Sequence, residues 1–135
     1  MKLKLEIVTP EKKVYSDEVD SVVIPGVEGE LGILPHHIPL MVQILPGELR
    51  VKKGNEELNL ATGGGFVEVT GKSVKVLTDM AERAEDINEA RVEEARCRAE
   101  EALKERHLSA EEYATTAATL QKALAQLRVV RKRRH

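Results

Sequence analysis

Two glycine-containing segments are candidates for phosphate binding in this sequence. Gly63-Gly64-Gly65 and Gly71-Lys72-Ser73 have the composition of parts of a phosphate-binding loop. That loop requires four residues between its first glycine and the Gly-Lys-Ser sequence. Counting back from Gly71, the required position holds Phe66, and the residues between them alternate in polarity like a strand. The glycines therefore predict turns and not a nucleotide-binding loop.

Thiol and imidazole groups are the other candidates for catalysis or metal binding. Cys97 is the one cysteine, so no internal disulfide is possible, and it lies between Arg96 and Arg98 with no catalytic partner at a suitable spacing. His36 and His37 are adjacent, so in a strand their side chains point apart. Since no ligand set converges, the sequence predicts no catalytic residue, no metal site and no required cofactor.

The charged residues are distributed unevenly along the chain. The formal net charge is -2, but residues 85–105 carry 4 basic and 8 acidic residues, whereas residues 106–135 carry 7 basic and 2 acidic residues. With Tyr15, Phe66 and Tyr113 as its aromatic residues, the chain has no stacking platform for single-stranded nucleic acid. We therefore expect the basic end to contact an acidic protein surface and not nucleic acid.

Hydropathy predicts a soluble protein. The longest apolar stretch, 38–45, is bounded by prolines and is far shorter than the roughly 20 residues that a membrane span needs. The first residues alternate in polarity and lack the apolar centre of a signal peptide, so a cytoplasmic location is the expectation.

The first part of the chain has the two-residue period of β-strands. Leu3, Leu5 and Ile7 alternate with charged residues, and about seven further short apolar segments follow before residue 80, separated by Gly and Pro turns. Short strands at this spacing are typical of a sandwich or a flattened barrel. We assign residues 1–84 to an antiparallel β-sandwich domain.

The rest of the chain has helical composition. No Gly or Pro occurs from Glu85 to His135. Asp86 with Glu89, and Ser109 with Glu112, are candidate capping boxes. The connection at 106–108 is short, so residues 85–135 predict an antiparallel two-helix hairpin. The expected apolar stripes are Ala-rich on the first helix and formed by Tyr113, Ala117, Leu120, Leu124 and Leu127 on the second. Because alanine side chains bury little apolar surface, packing between these stripes supplies little burial energy. We therefore expect the hairpin to be weakly held and able to change its arrangement.

Four motifs, in order along the chain, indicate a known family. The most specific is the run from Glu28 to Leu40, an acidic turn followed by Leu-Gly-Ile, then Pro and His-x-Pro-Leu. It resembles the epsilon-subunit signature of F-type (rotary) ATP synthases. Weaker matches are Gly64-Gly65-Phe66, the segment 86–91 and the segment 123–128. The resemblance covers essentially the whole chain and implies the same β-sandwich followed by a helical hairpin.

The resemblance implies a non-catalytic subunit of the central stalk, which couples proton-driven rotation to ATP synthesis. Its sandwich would bind the gamma subunit through one face, and its acidic turn would contact the membrane-embedded c-ring. Carried onto this sequence, the candidate ring and stalk residues are Glu28, Gly29, Glu30, Leu31 and His37. The protein would be peripheral, on the cytoplasmic face of a bacterial inner membrane, and associated with that membrane only through the complex.

In the same family the hairpin either folds onto the sandwich or extends along gamma, where it inhibits ATP hydrolysis. Positive residues of the second helix would then face an acidic segment of the beta subunit in the catalytic head, next to the alpha subunits. Here the candidates are Arg128, Arg131, Lys132, Arg133 and Arg134.

Some bacterial members bind ATP in the folded hairpin, which makes an ATP-level sensor the alternative function. The candidate ligand residues here are Glu82, Arg91 and Arg98. The set is incomplete, because Asn88 replaces an aspartate of the motif and Gln126 replaces an arginine of the strongest binders. Arg98 also follows Glu94 by four residues, so an ordinary helix ion pair is the alternative for it.

Overall fold

A computed structural model describes residues 2–105 and 107–133. Within them, the amino-terminal part forms one ten-stranded sheet. Its strands are β1 (Leu3–Val8), β2 (Lys13–Val19), β3 (Ser21–Gly26), β4 (Gly29–Ile33), β5 (Leu40–Ile44), β6 (Gly47–Lys53), β7 (Glu56–Thr62), β8 (Gly65–Val69), β9 (Ser73–Thr78) and β10 (Ala81–Arg83).

The strands follow one another across the sheet in the order β10-β7-β6-β3-β5-β8-β9-β1-β2, and β4 pairs with β3 beside this path. The β1–β9 pair is parallel, and the other pairs are antiparallel. Alternate residues of the strands fill one aliphatic core; Leu3, Leu5 and Ile7 are each fully buried. The predicted sandwich or flattened barrel is therefore confirmed as a sheet that nearly closes into a barrel.

Two strands, β2 and β10, were not predicted. β2 has alternating half-buried and exposed positions with a single buried residue at its end, Val19, and it carries charged residues throughout. β10 is three residues long. Both lie at the ends of the strand order, where hydrogen bonds to one neighbour decide the structure and apolar alternation is weak.

Two helices follow a short 3₁₀ turn at Ala84–Asp86. They are α1 (Glu89–Leu103) and α2 (Ala110–Arg133). The capping prediction for Asp86 is wrong, because Asp86 belongs to the 3₁₀ turn; Asn88 caps α1 by accepting a 3.2 Å hydrogen bond from the Arg91 amide. The second capping box is confirmed, with the Ser109 amide donating to Glu112 at 3.2 Å and the Glu112 amide donating to Ser109 at 3.1 Å.

The carboxyl-terminal half of α2 is buried on two sides, because it packs against α1 and also against β6 and β7. Buried positions consequently alternate along it at Ala123, Ala125, Leu127 and Val129. The predicted single stripe is wrong at Tyr113 and Leu124, which are 53% and 39% exposed. The hairpin is thus docked on the sheet, with the first half of α2 largely in solvent.

Candidate functional site

The acidic turn joins β3 to β4 and extends from the sheet as a tight hairpin. Gly26 and Gly29 are register partners, which leaves Val27 and Glu28 at the tip. Gly29 has φ +122°, a backbone conformation that favours glycine, and a Cβ there would meet no atom within 4 Å. The glycine is therefore required by the backbone alone, and it presents the exposed Glu28 side chain to solvent.

Glu30 is fixed by an arginine of a neighbouring strand. Its Oε2 lies 2.6 Å from Arg50 Nη1 and its Oε1 lies 3.4 Å from Arg50 Nη2. The hydrogen bond from Arg50, followed by the charge of that guanidinium, lowers the pKa of the Glu30 carboxyl. Glu30 is thus an ionised, oriented acceptor on the surface beside the turn.

The structure brings four of the five predicted ring and stalk residues together and separates the fifth. Glu28, Gly29, Glu30 and Leu31 lie on one hairpin, and Leu31 packs partly against the core. His37 lies in the connection beyond the other end of β4, where its Nδ1 donates to the Ile38 carbonyl at 2.8 Å. Since β4 has five residues, about 15 Å of strand separates His37 from the acidic turn.

Apolar side chains lie exposed on the outer faces of β5, β8 and β9. Met41 is 66% exposed, Phe66 53% and Leu77 46%, and Phe66 and Leu77 are register partners. Val27, at the acidic turn, lines the same groove as Met41. We call Val27, Met41, Phe66 and Leu77 the apolar patch. Exposed apolar side chains grouped on neighbouring strands are typical of a protein interface.

Two of the candidate basic residues of α2 are engaged by acids of the same chain. Arg131 lies 3.1 Å from Glu89 and 2.9 Å from Glu93, both on α1. Lys132 lies 3.1 Å from Glu48 on β6. Among the remaining candidates, Arg128 is exposed and lines a cleft with Glu30 and Lys132. Arg133 ends α2, and Arg134 lies outside the described residues.

The candidate ATP residues do not form one site. Glu82 and Arg91 line a cleft of about 310 Å³ between the sheet and the hairpin, together with Asn88 and Gln126. Gln126 spans this cleft, because its Nε2 donates to Glu82 Oε1 at 2.5 Å. Arg98 lines a separate groove beside Thr115, Thr116 and Thr119. Its carboxylate neighbour is Glu94 at 3.8 Å, the predicted helix ion pair.

Sequence reasoning missed Glu48. Its neighbours Leu49 and Val51 enter the core, so the strand alternation places Glu48 on the outer face, where a carboxylate is usually solvated. Glu48 is nevertheless only 6% exposed. No local signal could reveal this burial, because it results from the docking of α2.

In residues 2–105 and 107–133, no group of three or more His, Cys, Asp or Glu side chains is placed to hold a metal ion. In the same ranges, neither helix is both long enough and apolar enough to cross a membrane.

Known families match both parts of the chain. Residues 2–84 match the family described as ATP synthase, Delta/Epsilon chain, beta-sandwich domain, and residues 85–131 match its long alpha-helix domain. The ATP synthase epsilon chain of Dehalococcoides mccartyi strain BAV1 is 51% identical over 133 residues, which cover 98% of this chain and 95% of the relative. That of Herpetosiphon aurantiacus is 45% identical over 135 residues, covering 100% and 98%.

Solved structures share the fold at low sequence identity. A chain in the Euglena gracilis mitochondrial ATP synthase, from a structure of OSCP, F1 and the c-ring, has a TM-score of 0.77 and 21% identity, covering 99% of this chain and 82% of its own. A chain of the Tetrahymena thermophila mitochondrial ATP synthase central stalk and c-ring has a TM-score of 0.58 and 14% identity, covering 100% and 98%.

Proposed function

This chain belongs to the ATP synthase delta/epsilon family, and we propose that it is a non-catalytic central-stalk subunit that couples rotation to ATP synthesis and restrains ATP hydrolysis. Residues 1–84 would be the anchor on the rotor, and residues 85–135 would be the regulatory hairpin. The protein would lie peripherally on the cytoplasmic face of a bacterial inner membrane, as part of the synthase.

The observation that carries the regulatory proposal is that acids of the same chain engage two of the candidate inhibitory residues. Arg131 and Lys132, which would face the acidic segment of the beta subunit when the hairpin extends, are paired here with Glu89, Glu93 and Glu48. The chain's own acids therefore compete with the catalytic head for the same cations. We call the inhibitory action of the hairpin the brake. The hairpin does not inhibit ATP hydrolysis when it is docked and inhibits it when it is extended, so the strength of inhibition depends on the difference in free energy between these two states.

A reversible covalent lock tests the brake. Val129 on α2 and Ala61 on β7 pack in one buried cluster, so Ala61→Cys with Val129→Cys, in a Cys97→Ser background, places two thiols in that cluster when the hairpin is docked. A disulfide formed between them by an oxidant would hold the hairpin docked. ATP hydrolysis by the catalytic complex stripped of this subunit should be inhibited by the reduced chain and not by the oxidised chain. Cys97→Ser alone, treated with the same oxidant, is the control. Equal inhibition by both redox forms would reject extension of the hairpin as the inhibitory step.

The anchoring proposal assigns one surface to each partner. We propose that the apolar patch binds the gamma subunit, that the hairpin residues Glu28, Gly29, Glu30 and Leu31 face the c-ring, and that His37, beyond the other end of β4, belongs to the stalk side of the same interface. Phe66→Ser should weaken capture of the gamma subunit by the full chain. The matched control is Tyr113→Ser, since Tyr113 is also 53% exposed but lies on α2. Equal loss of gamma capture in both variants would count against the apolar patch.

An ATP-level sensor is the second candidate, favoured by the cleft that Glu82 and Arg91 share in the docked hairpin. Arg91 is exposed at this cleft, whereas the Glu82–Gln126 hydrogen bond must break before a phosphate chain can enter deeply. Calorimetric titration with ATP should give binding that Arg91→Gln abolishes and Lys104→Gln, an exposed cation at the far end of α1, preserves. Absence of heat at millimolar ATP would reject the sensor.

A further inference from the structure

Three adjacent strands present a row of side chains to α2. Ala61 on β7 is the register partner of Glu48 on β6 and of Glu82 on β10. Side chains of directly paired residues share one face of a sheet. Since Leu49 and Leu60 fill the core on the inner face, Glu48, Ala61 and Glu82 lie on the outer face. We call these three residues the strand row.

Three residues of α2, each three positions from the next, contact the strand row in order. Gln126 donates to Glu82 at 2.5 Å, Val129 packs in the buried cluster with Ala61, and Lys132 lies 3.1 Å from Glu48. We call Gln126, Val129 and Lys132 the helix triplet. Three residues advance a helix by about 4.5 Å, and neighbouring strands lie about 4.8 Å apart. Each step along the triplet therefore reaches the next strand.

The side chains of the triplet suit their positions around the helix. A step of three residues rotates the side chain by about 60° from the previous one, so Gln126 and Lys132 lie on either side of Val129. The central contact is between two small residues, Val129 and Ala61, which are both fully buried. The flanking residues are long and polar and reach down to carboxylates. A shift of α2 by one residue would break all three contacts at once.

Glu48 is the residue of the strand row whose burial would cost the most free energy without an ion-pair partner. Among residues 2–105 and 107–132, whose burial the structure describes, it is the one buried acidic or basic residue. Its Oε1 accepts from Lys132 and lies 3.4 Å from Arg50 Nη1, whereas its Oε2 has no hydrogen-bond partner. A buried carboxylate is costly unless it is paired. Because α2 both covers Glu48 and supplies Lys132, this pair exists only when the hairpin is docked.

We propose that the strand row and the helix triplet form a clasp that keeps the hairpin docked and fixes its register. Lys132 and Glu48 are its electrostatic contact, and Val129 with Ala61 is its apolar contact. The clasp concerns the isolated chain; its consequence for ATP hydrolysis rests on the proposed function. Opening the clasp releases Lys132 from the sandwich toward the catalytic head.

A distance measurement on the full chain tests the clasp. Spin labels at Cys97, which is exposed on α1, and at Asn55→Cys, in the exposed turn between β6 and β7, report the docked and undocked populations. Glu48→Gln should lower the ratio of docked to undocked chains by roughly three- to tenfold, as expected for loss of one charge-assisted contact. The matched control is Glu57→Gln, which removes an exposed carboxylate of β7 four residues before Ala61 and should leave the ratio unchanged.

A double-mutant cycle tests whether Glu48 and Lys132 stabilise the docked hairpin through the same contact. Lys132→Gln should shift the ratio by a similar factor, and adding Lys132→Gln to Glu48→Gln should shift it little further, because both changes remove the same contact. An unchanged or increased docked population in Glu48→Gln, or full additivity of the two changes, would overturn the clasp.

Inhibition of the catalytic complex stripped of this subunit distinguishes failure of the clasp proposal from failure of the proposed brake. If Glu48→Gln undocks the hairpin, and the variant inhibits hydrolysis at a lower concentration than the unmodified chain does, both the clasp and the proposed brake are supported. If it undocks the hairpin without any gain in inhibition, the clasp stands and the proposed brake fails. If the distances do not change, the clasp is wrong, whatever the inhibition.

Discussion

Val129→Ala is expected to undock the hairpin while leaving the sandwich folded. Val129 is fully buried and packs with Ala61, Ala84 and Ile87, so the change removes two methyl groups from a contact made only by the docked hairpin. Lost burial amounts to about 1.5 kcal/mol, and an unfilled cavity can raise the loss to about 2.5 kcal/mol. Either value shifts the docking equilibrium by about ten- to sixtyfold.

Amide hydrogen exchange read by mass spectrometry is the assay. An undocked hairpin loses most of its packing, and isolated helices of this length are marginal in water, so peptides from α1 and α2 should exchange about ten- to sixtyfold faster in Val129→Ala. Peptides from β1, β8 and β9 should not change. The matched control is Val67→Ala, the same substitution at another fully buried valine, which lies on β8 in the sandwich core and should accelerate exchange of the strands.

Two results would refute this reasoning. Unchanged exchange in α2 of Val129→Ala would mean that the apolar contact does not hold the hairpin. Parallel acceleration of the strands and helices would mean that the sandwich and the hairpin unfold as one cooperative unit, and undocking would then not be a separate step.

Three further predictions address the turns, the cap and the surface charge. Gly65→Ala should destabilise the sandwich by about 3 kcal/mol in chemical denaturation, because the new Cβ would lie 1.9 Å from a backbone oxygen of the next strand; Gly71→Ala, where nothing lies within 4 Å, should be nearly neutral. Ser109→Ala should lower the free energy of unfolding of the hairpin by about 1 kcal/mol in thermal denaturation, because the α2 cap is lost. If the variant were as stable as the unmodified chain, the capping assignment would be contradicted. Arg50→Gln should raise the pKa of Glu30 toward its ordinary value in a carboxyl NMR titration, and an unchanged pKa would contradict the ion pair. Because the pKa of Glu30 is lowered in the folded state, its stabilising contribution is present above the ordinary glutamate pKa and is lost as the pH falls through the folded-state pKa.

The sequence predicted those features that local physics determines. The alternation of Leu3, Leu5 and Ile7 predicted a strand with one buried face, and all three are fully buried. Ser109 and Glu112 predicted a helix start because the two groups satisfy each other within four residues. In both cases the interaction that decides the structure is readable from spacing alone.

Features that depend on packing between the two parts of the chain were not predictable. Glu48 occupies an outer-face position on β6, and nothing near it in the sequence indicates that α2 covers it. Tyr113 and Leu124 continue the apolar spacing of α2, yet they are exposed, because the helix buries its other end on two sides. A second contact surface changes which positions of a helix are buried, and the sequence of the helix does not show where that surface lies.

Two basic residues at the end of α2 form ion pairs that differ in what they hold together. The acids that bind Arg131 are Glu89 and Glu93 on α1, so these two ion pairs lie within the hairpin and move with it when it leaves the sheet. The acid that binds Lys132 is Glu48 on β6, so that pair must break for the hairpin to leave. Undocking of the hairpin as a unit therefore frees Lys132 at once, whereas Arg131 becomes free only if α1 and α2 also separate. Under the proposed function, a hairpin that extends with its helices still paired would first offer Lys132 to the catalytic head, and full engagement of Arg131 would require a second opening, between the helices.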